Sequence, residues 1–264
     1  MLGLGGGSPV NKRLSLDLIN KILKFITRTH YSLNVHLFEC GLYLKHYQRL
    51  ITEALETPGY ILHLGSGDGT SLNRPGELSS PRSRFVSVDV DWLGIVGNPG
   101  RLRVIADAAM LPFKDGCFTA VCSEHLLEHL PRPLEVFRDS RRVLRNGGQF
   151  IFATPNGWSY IALLDRMVPL EFRAAFVSFG RDAGEQQRHF PTYYRANSVF
   201  SIRRLAKLSG LAVKSLEGFV GEPCYTLALP VVHLLMIALH KMLGIFRLHR
   251  VAGITLVGLL VKRT

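Results

Sequence analysis

Three glycines at alternate positions, Gly65, Gly67 and Gly69, follow a short apolar run at residues 60–64. The run is typical of a buried parallel strand, and glycine is favoured where the backbone turns sharply and approaches a ligand closely. In an α/β sheet, ligands bind at the carboxyl ends of such strands. The third glycine of a dinucleotide fingerprint would fall at Thr70, so the pattern is not G-x-G-x-x-G. The sequence therefore predicts a ligand-binding turn, with an ordinary glycine turn as the alternative.

Carboxylates end the next two predicted strands. Asp89 lies 20 residues after Gly69, and at a strand tip its oxygens could accept hydrogen bonds from both hydroxyls of a ribose. Asp107 ends the following strand and could accept a hydrogen bond from the exocyclic amine of adenine, with Leu111 and Phe113 covering the ring. A solvated carboxylate at the strand end is the alternative for Asp89.

Apolar periodicity and turn residues predict the elements that position these groups. Helices are expected at residues 14–28, 36–56, 133–144 and 198–209. Asn146-Gly147-Gly148 is expected to cap the third of them. Strands are expected at residues 60–64, 85–91, 102–107, 117–123, 149–154, 211–217 and 253–262. Proline and glycine residues predict short or irregular connections after the first two strands.

The chain is strongly basic, with 32 Lys and Arg against 20 Asp and Glu and a net charge of +12 over 264 residues. This excess favours anionic partners such as nucleic acid, acidic lipid or an anionic substrate. The four scattered cysteines lack C-x-x-C spacing, which argues against a zinc site or a disulfide framework and suits a reducing cytoplasm. The glycine-rich start lacks the features of a signal peptide. We predict a flexible leader at 1–13, N-terminal helices at 14–58 and one α/β domain at 59–264.

Five ordered blocks resemble the class I S-adenosylmethionine-dependent methyltransferases, specifically the small-molecule branch related to quinone-biosynthesis enzymes (methyltransferase type 11). The resemblance covers residues 60–156. The blocks are the three-glycine turn, Asp89, Asp107 with Leu111-Pro112-Phe113-Lys114-Asp115-Gly116-x-Phe118, Leu127-Glu128-His129-Leu130, and Arg142-Val143-Leu144-x-x-Gly147-Gly148. Two departures are Thr119, where the family usually has Asp, and an eroded helix after the glycine turn.

The resemblance implies a Rossmann-like, doubly wound α/β fold with a seven-stranded, mostly parallel sheet and an antiparallel last strand. It assigns S-adenosylmethionine as cofactor, with the glycines at the methionine end, Asp89 at the ribose and Asp107 at the adenine. The predicted cofactor-binding residues are Gly65, Ser66, Gly67, Asp68, Gly69, Asp89, Asp107, Ala108, Leu111 and Ser123.

The segment from His125 to His129 also spells H-x-x-E-H, the inverted zinc-protease motif. Zinc would need both histidines on one helical face and a third ligand, whereas the family places a Glu-His pair here for packing and capping. Some relatives bind a divalent ion at this point through two Glu and a His, but His125 replaces the first Glu. We therefore expect no metal.

Methyl transfer needs alignment of the acceptor with the methyl group, and a base only if the acceptor carries a proton. His125 and His189 are the candidate catalytic bases. Arg188, Tyr193 and Tyr194 follow the fifth strand, where relatives keep acceptor-recognition residues, and suit an anionic or hydroxylated acceptor. The alternative is a loop whose tyrosines pack on the sheet edge. The motif of amino-methylating nucleic-acid enzymes is missing after the fourth strand, so DNA is not expected as a substrate.

Two insertions and one helix are unusually apolar. The insertion at 158–195 is expected to cover the acceptor pocket, and the insertion at 221–252 contains a strongly apolar segment at 225–246. Its first 15 residues would span about 22 Å as a helix, less than the roughly 30 Å hydrocarbon core of a bilayer. An interfacial membrane helix and a lid or dimer-forming hairpin remain open. The amphipathic helix at 14–28 packs on the core in one interpretation and lies on a membrane or over the cleft in the other.

These observations predict a cytoplasmic, peripherally membrane-associated methyltransferase that acts on a small, lipophilic acceptor at the membrane surface. The first alternative is methylation of a soluble metabolite or sugar, with the apolar insertion as a lid or dimer interface. The second is a non-catalytic cofactor-binding adaptor for a membrane. The sequence does not specify an oligomeric state.

Overall fold

The computed structural model describes residues 42–69, 83–159, 190–219 and 253–263, with single positions at 162, 238 and 242. The predicted helix at 14–28, the segment 70–82 after the glycine turn and most of both apolar insertions lie outside the described residues. So do Arg188 and His189. None of the described helices combines the length and apolarity needed to cross a bilayer.

The described residues form seven strands, four α-helices and one 3-10 turn. The helices are α1 (Leu42–Leu55), α2 (Trp92–Gly97), α3 (Pro133–Val143) and α4 (Val199–Ser209), and the 3-10 turn is Leu127–His129. The strands are β1 (Gly59–Leu64), β2 (Ser83–Asp89), β3 (Leu102–Ile105), β4 (Phe118–Glu124), β5 (Leu144–Pro155), β6 (Leu211–Phe219) and β7 (Thr255–Lys262).

The strands form one sheet in the order β3-β2-β1-β4-β5-β7-β6. The β1–β2, β1–β4, β2–β3 and β4–β5 pairs are parallel, while β7 is antiparallel to both of its neighbours. This confirms the predicted seven-stranded, Rossmann-like sheet. The chain reverses its direction of winding between β1 and β4, and ligands of open α/β sheets bind at the carboxyl ends of the strands at such a point.

Buried side chains cover both faces of the sheet. On one face, Phe137 of α3 packs edge-on against Phe150 and at a tilt against Phe152 of β5, with ring centroids 5.4 and 6.3 Å away. On the other, α1 buries Tyr47 and Ile51 against the strands. Each fully buried large apolar side chain contributes about 1.5–3 kcal/mol, so this packing fixes the strand ends to which the candidate site is attached.

The segment Asn146-Gly147-Gly148 does not cap α3, which corrects the prediction. The helix ends at Val143, and β5 begins at once with the buried Leu144. Phe118 of β4 pairs with Leu144 and Ala120 pairs with Gln149, so β5 has extra residues that the ladder leaves out. Gly147, with φ of +74°, lies in this bulge because a left-handed conformation there favours glycine.

The short second connection is confirmed as the six-residue helix α2. Asp91 caps it, since its carboxylate accepts hydrogen bonds from the backbone N–H groups of Leu93 and Gly94. At α4, Ser198 and Ser201 form a capping box, and Gly210 ends the helix with φ of +76°. The Asp91 cap begins α2 immediately beyond the tip of β2.

Candidate active site

The turn after β1 has a backbone that requires its glycines. Gly65, Gly67 and Gly69 have φ of +64°, +46° and +82°, a region that other L-residues adopt at a cost of about 1–2 kcal/mol. A Cβ on Gly65 would lie 2.9 Å from Leu126 Cδ1, whereas a Cβ on Gly67 would meet nothing within 4 Å. Gly65 is therefore required for packing, and Gly67 borders open space.

Asp89, at the tip of β2, is directed at this turn. Its Oδ2 accepts a hydrogen bond from Gly67 N–H at 2.7 Å, and its Oδ1 accepts one from Asp91 N–H at 2.9 Å. Each carboxylate oxygen keeps further lone-pair capacity. A half-buried carboxylate beside an open glycine backbone suits a pair of ribose hydroxyls.

Asn98 braces the same turn, although the sequence reasoning missed it. This buried residue donates from Nδ2 to the carbonyl oxygen of Gly67 at 3.0 Å and accepts at Oδ1 from Gly100 N–H at 2.9 Å. Because 31 positions separate Asn98 from Gly67, no local pattern could have indicated the contact. The Asn-Pro-Gly turn sequence was the one available signal of an unusual backbone.

Asp107 lies on the loop after β3, close to the β2 tip. Ala106 N–H donates to the carbonyl oxygen of Asp89 at 3.1 Å, which joins the two tips. The exposed Asp107 side chain accepts from Ala109 N–H at 2.8 Å. The structure thus brings the two predicted carboxylates to neighbouring loops at one edge of the sheet.

That Leu111 and Phe113 cover a ring stays a prediction, since Leu111 is buried and Phe113 is half-buried. Leu111 is 4% exposed, and Phe113 packs edge-on against Phe118 with ring centroids 5.0 Å apart. Val90 and Met110 are instead 60% and 79% exposed on the loops after β2 and β3. Those two exposed apolar side chains are also available to an adenine ring.

Arg142 fixes the loop after β3, a role that the sequence reasoning missed. Its guanidinium donates to the carbonyl oxygens of Leu111 and Phe113 at 2.9 and 2.7 Å, and it pairs with Asp139 at 2.6 Å and Asp115 at 2.9 Å. Hydrogen bonds to these carboxylates raise its pKa above the ordinary arginine value.

Two buried hydroxyls fit a bound polar ligand. Ser66 lies within the glycine turn and Ser123 lies near the tip of β4, next to Leu64 of β1. Neither hydroxyl has a hydrogen-bond partner among the described residues, and buried polar groups are seldom left unpaired. Of the other predicted cofactor residues, Asp68 is exposed and Ala108 is buried. We name the tips of β1, β2 and β3 the cofactor side; its residues fit S-adenosylmethionine.

The acceptor side comprises the tips of β4 and β5 together with residues 190–197. His125, directly after β4, has φ of +53°, and its half-exposed imidazole has Nδ1 3.4 Å from Glu128 Oε1. Glu124 Oε1 is 4.0 Å from Nε2. The contact with Glu128, opposed by partial burial, raises the pKa of His125.

Glu128 is held by a relay of buried side chains. Asn197 Nδ2 donates to the carbonyl oxygen of Pro155 at 2.9 Å, which fixes its amide orientation, and also to Thr154 Oγ1 at 2.7 Å. Thr154 must therefore use its own proton toward Glu128 Oε2, 3.1 Å away. The relay leaves the other carboxylate oxygen of Glu128 to orient His125.

Hydrogen bonds join residues 190–195 to the backbone at Glu128 and Pro131. Tyr193 N–H and Tyr194 N–H donate to the carbonyl oxygen of Glu128 at 2.7 and 3.2 Å, and Arg195 Nη1 donates to Pro131 at 2.6 Å. The tyrosine side chains remain 44% and 46% exposed. Both predicted acceptor-binding tyrosines thus lie beside the candidate base.

The two histidines of H-x-x-E-H have different partners. His129 Nδ1 lies 3.0 Å from the carbonyl oxygen of Pro191, whereas His125 contacts Glu128. Among the described residues, no group of three His, Cys, Asp or Glu is arranged to hold a metal ion.

The sheet order and the loop geometry define a class of protein. Residues 62–152 match a family model described as a methyltransferase domain. The chain therefore contains a class I S-adenosylmethionine-dependent methyltransferase domain, as its sequence predicts, and S-adenosylmethionine is the cofactor of that domain.

One curated relative is similar in sequence, and two solved structures share the fold. A malonyl-[acyl-carrier protein] O-methyltransferase from Geobacter sulfurreducens is 30% identical over 152 residues, 54% of this chain and 54% of that protein. A methyltransferase structure from Methanosarcina mazei aligns with a TM-score of 0.54 at 17% identity, covering 81% of this chain and 97% of its own. The structure of geranyl diphosphate C-methyltransferase from Streptomyces coelicolor aligns with a TM-score of 0.52 at 14% identity, covering 83% of this chain and 79% of its own. The chain spans about half or less of the length of the curated relatives it matches.

Proposed function

We propose that this protein transfers the methyl group of S-adenosylmethionine to a hydroxyl of a small, lipophilic acceptor at a membrane surface. The observation that carries the proposal is the His125–Glu128 pair beside the cofactor side. Leu126 would meet a Cβ on Gly65 at 2.9 Å, so the segment bearing the candidate base touches the glycine turn. An acceptor held at His125 is thereby close to the cofactor.

The candidate residues for acceptor binding and proton transfer each have a chemical role in this proposal. S-adenosylmethionine would supply an electrophilic methyl carbon on a sulfonium, and its sulfur would leave as a neutral thioether when the bond to that carbon breaks. His125 Nε2 takes the proton that the acceptor hydroxyl loses as its oxygen forms the new bond to carbon. Glu128 holds Nδ1 and stabilises the imidazolium. Tyr193 and Tyr194 bind the acceptor, with Arg188 and the second candidate base, His189, as further predicted contributors.

An oxygen acceptor has support from two directions. A base is useful only when the nucleophile carries a proton, and the relay from Asn197 to Glu128 orients one. The Geobacter relative is named for transfer to oxygen. Its acceptor is not carried over, because the matched residues are 54% of that protein.

The membrane surface and the cytoplasmic, peripheral location are supported by charge and hydropathy. The net charge of +12 favours anionic lipid, and the strongly apolar segment at 225–246 suits burial in the headgroup region. The competing proposal is a soluble metabolite or sugar acceptor, for which the exposed tyrosines and Arg195 are suitable hydrogen-bonding groups.

A labelling experiment tests the proposal. The purified chain is incubated with S-adenosylmethionine carrying a tritiated methyl group and an extract of the source cells, which is then partitioned into organic and aqueous phases. We expect label in the organic phase, and its loss in His125→Ala. Label in the aqueous phase would favour the soluble acceptor. Calorimetric binding of S-adenosylmethionine without any transfer would favour the non-catalytic adaptor.

A further inference from the structure

The outward face of α4 combines cations with apolar side chains. Phe200, Arg204, Lys207 and Leu208 recur at the spacing of one helical stripe, and all four are exposed, as is neighbouring Arg203. Phe200 and Leu208 are 63% and 50% exposed. The opposite side of the helix is buried. This exposed face of mixed basic and apolar character, on a short, well-capped helix, is suited to binding a partner.

An aromatic pair extends this face toward the tip of β5. Trp158 is 56% exposed, and its ring lies 5.8 Å from that of Phe200. The two residues come from separate segments that are joined where Gly157 N–H donates to the carbonyl oxygen of Asn197 at 2.7 Å. The pair therefore has a fixed position and lies near the relay that orients His125.

No ion pair among the described residues neutralises the charge of the α4 face. The helix contains no acidic residue, and among the described residues Arg203, Arg204 and Lys207 form no ion pair. Three cations on two turns of helix complement an anionic partner. They do not by themselves distinguish a membrane from a nucleic acid or an acidic protein.

The apolar residues favour a membrane over a nucleic acid. Trp is typical of the membrane interface, and Trp, Phe and Leu form the apolar face of helices that lie in it. Leu208 offers nothing to a phosphate backbone, whereas it gains by entering the headgroup region. The segment at Trp158 also contacts the residues that follow the predicted apolar insertion, since Asn156 donates hydrogen bonds to the carbonyl oxygens of Gly253 and Ile254 at 2.8 and 2.7 Å.

We propose that α4, together with Trp158, is a docking surface for a bilayer that contains anionic lipid. This inference builds on the proposed function, because it identifies the side of the domain that faces a membrane-borne acceptor. Arg203, Arg204 and Lys207 contact headgroup phosphates and carboxylates, while Phe200, Leu208 and Trp158 enter the interface. The acceptor then reaches the acceptor side across the tip of β5.

Vesicle flotation of the full chain tests the docking surface. Vesicles of phosphatidylcholine alone are compared with vesicles that also contain phosphatidylserine, at low and at raised salt. Each cation near an anionic surface strengthens partitioning roughly fivefold, so Arg203→Glu with Arg204→Glu should weaken binding to anionic vesicles by at least about 20-fold. The matched control is Arg101→Glu with Arg145→Glu, which changes the net charge equally at exposed positions outside α4 and should retain most of the binding.

The aromatic contribution is tested separately with Trp158→Ala and Phe200→Ala together. This variant should bind anionic vesicles several-fold more weakly, and its remaining binding should be more sensitive to salt than that of the wild type. Thermal unfolding checks that each variant is folded, as its exposed positions predict.

Three results would contradict the docking surface. The first is an equal loss of vesicle binding in the α4 variant and the control variant, and the second is unchanged vesicle binding in Arg203→Glu with Arg204→Glu. The third is binding of a mixed-sequence RNA that vesicles do not displace. The outcome is separable from the proposed function. Asp89→Ala should lose S-adenosylmethionine but still float with vesicles, whereas the α4 variant should bind S-adenosylmethionine like the wild type.

Discussion

The cofactor side and the acceptor side are built by different means. On the cofactor side, left-handed glycines and the carboxylate of Asp89 shape the backbone, and the key hydrogen bond joins Gly67 to Asp89. On the acceptor side, side chains from three separate segments form a relay from Asn197 through Thr154 to Glu128. Backbone shape is encoded in residue types that have few substitutes, whereas a relay can be assembled from many combinations.

The pKa values of two histidines, one in the core and one at the acceptor side, are shifted in opposite directions. His63 lies within β1 and is buried, and desolvation lowers its pKa to about 4. His125 lies at the acceptor side, and its contact with Glu128 raises its pKa. The first histidine is therefore a neutral core residue, and the second is a group whose proton is controlled by a neighbour.

The largest expected effect is the loss of cofactor binding in Asp89→Ala. The change removes the acceptor for Gly67 N–H and Asp91 N–H as well as for the ribose hydroxyls. Hydrogen bonds to charged groups contribute about 1.5–3 kcal/mol each, so affinity for S-adenosylmethionine should fall at least about 100-fold by calorimetry. Asp107→Ala, which breaks one exposed bond to Ala109 N–H, should cost about tenfold. A larger loss for Asp107→Ala would contradict the assignment.

The next effect concerns stability at low pH. The unfolded His63 imidazole titrates near 6.5, while burial holds its pKa at about 4 in the fold. Stability is therefore fully present above about pH 6.5 and is lost as pH falls toward 4, because only the unfolded chain binds the proton there. The contribution is about 3 kcal/mol. Urea unfolding at several pH values should show that the free energy of unfolding falls less steeply with decreasing pH in His63→Gln than in the wild type. An equal fall in both proteins would contradict the interpretation.

A third prediction probes the acceptor side through Glu128→Gln. Since the carboxylate stabilises the imidazolium, its removal should lower the pKa of His125, measured by NMR titration with His125→Asn for assignment. Methyl transfer should fall roughly 10–100-fold, a part of what general-base catalysis contributes. Affinity for S-adenosylmethionine should be unchanged. A purely structural Glu128 would leave the titration of His125 where it was.

The smallest expected effect separates two glycines of one turn. Gly67→Ala should weaken S-adenosylmethionine binding about tenfold while lowering stability by only about 1–2 kcal/mol, because its Cβ points into open space. Gly65→Ala should lower the melting temperature more, since its Cβ would press on Leu126 at 2.9 Å. Intact binding in Gly67→Ala would show that the open space is not part of the cofactor site.

The sequence predicted the cofactor side more fully than the acceptor side. The strand tips, the glycine turn and the neighbouring positions of Asp89 and Asp107 followed from short-range patterns. Asn98 and Arg142 were missed as supports of those loops, because each acts across about 30 residues of chain. Tyr193 and Tyr194 were predicted beside the acceptor, but their attachment to the carbonyl oxygen of Glu128 was not.

The amino-acid sequence by itself predicted the individual strands and the glycine turn, since apolar periodicity and glycine patterns act over a few residues, and its resemblance to a family implied the sheet and the class of domain. Only the tertiary structure decided that Leu111 is buried, that Gly147 lies in a bulge and that Thr154 donates to Glu128. Those outcomes depend on which distant segments pack together, and a hydroxyl or carboxylate acquires its direction and proton affinity from neighbours that the local sequence does not specify.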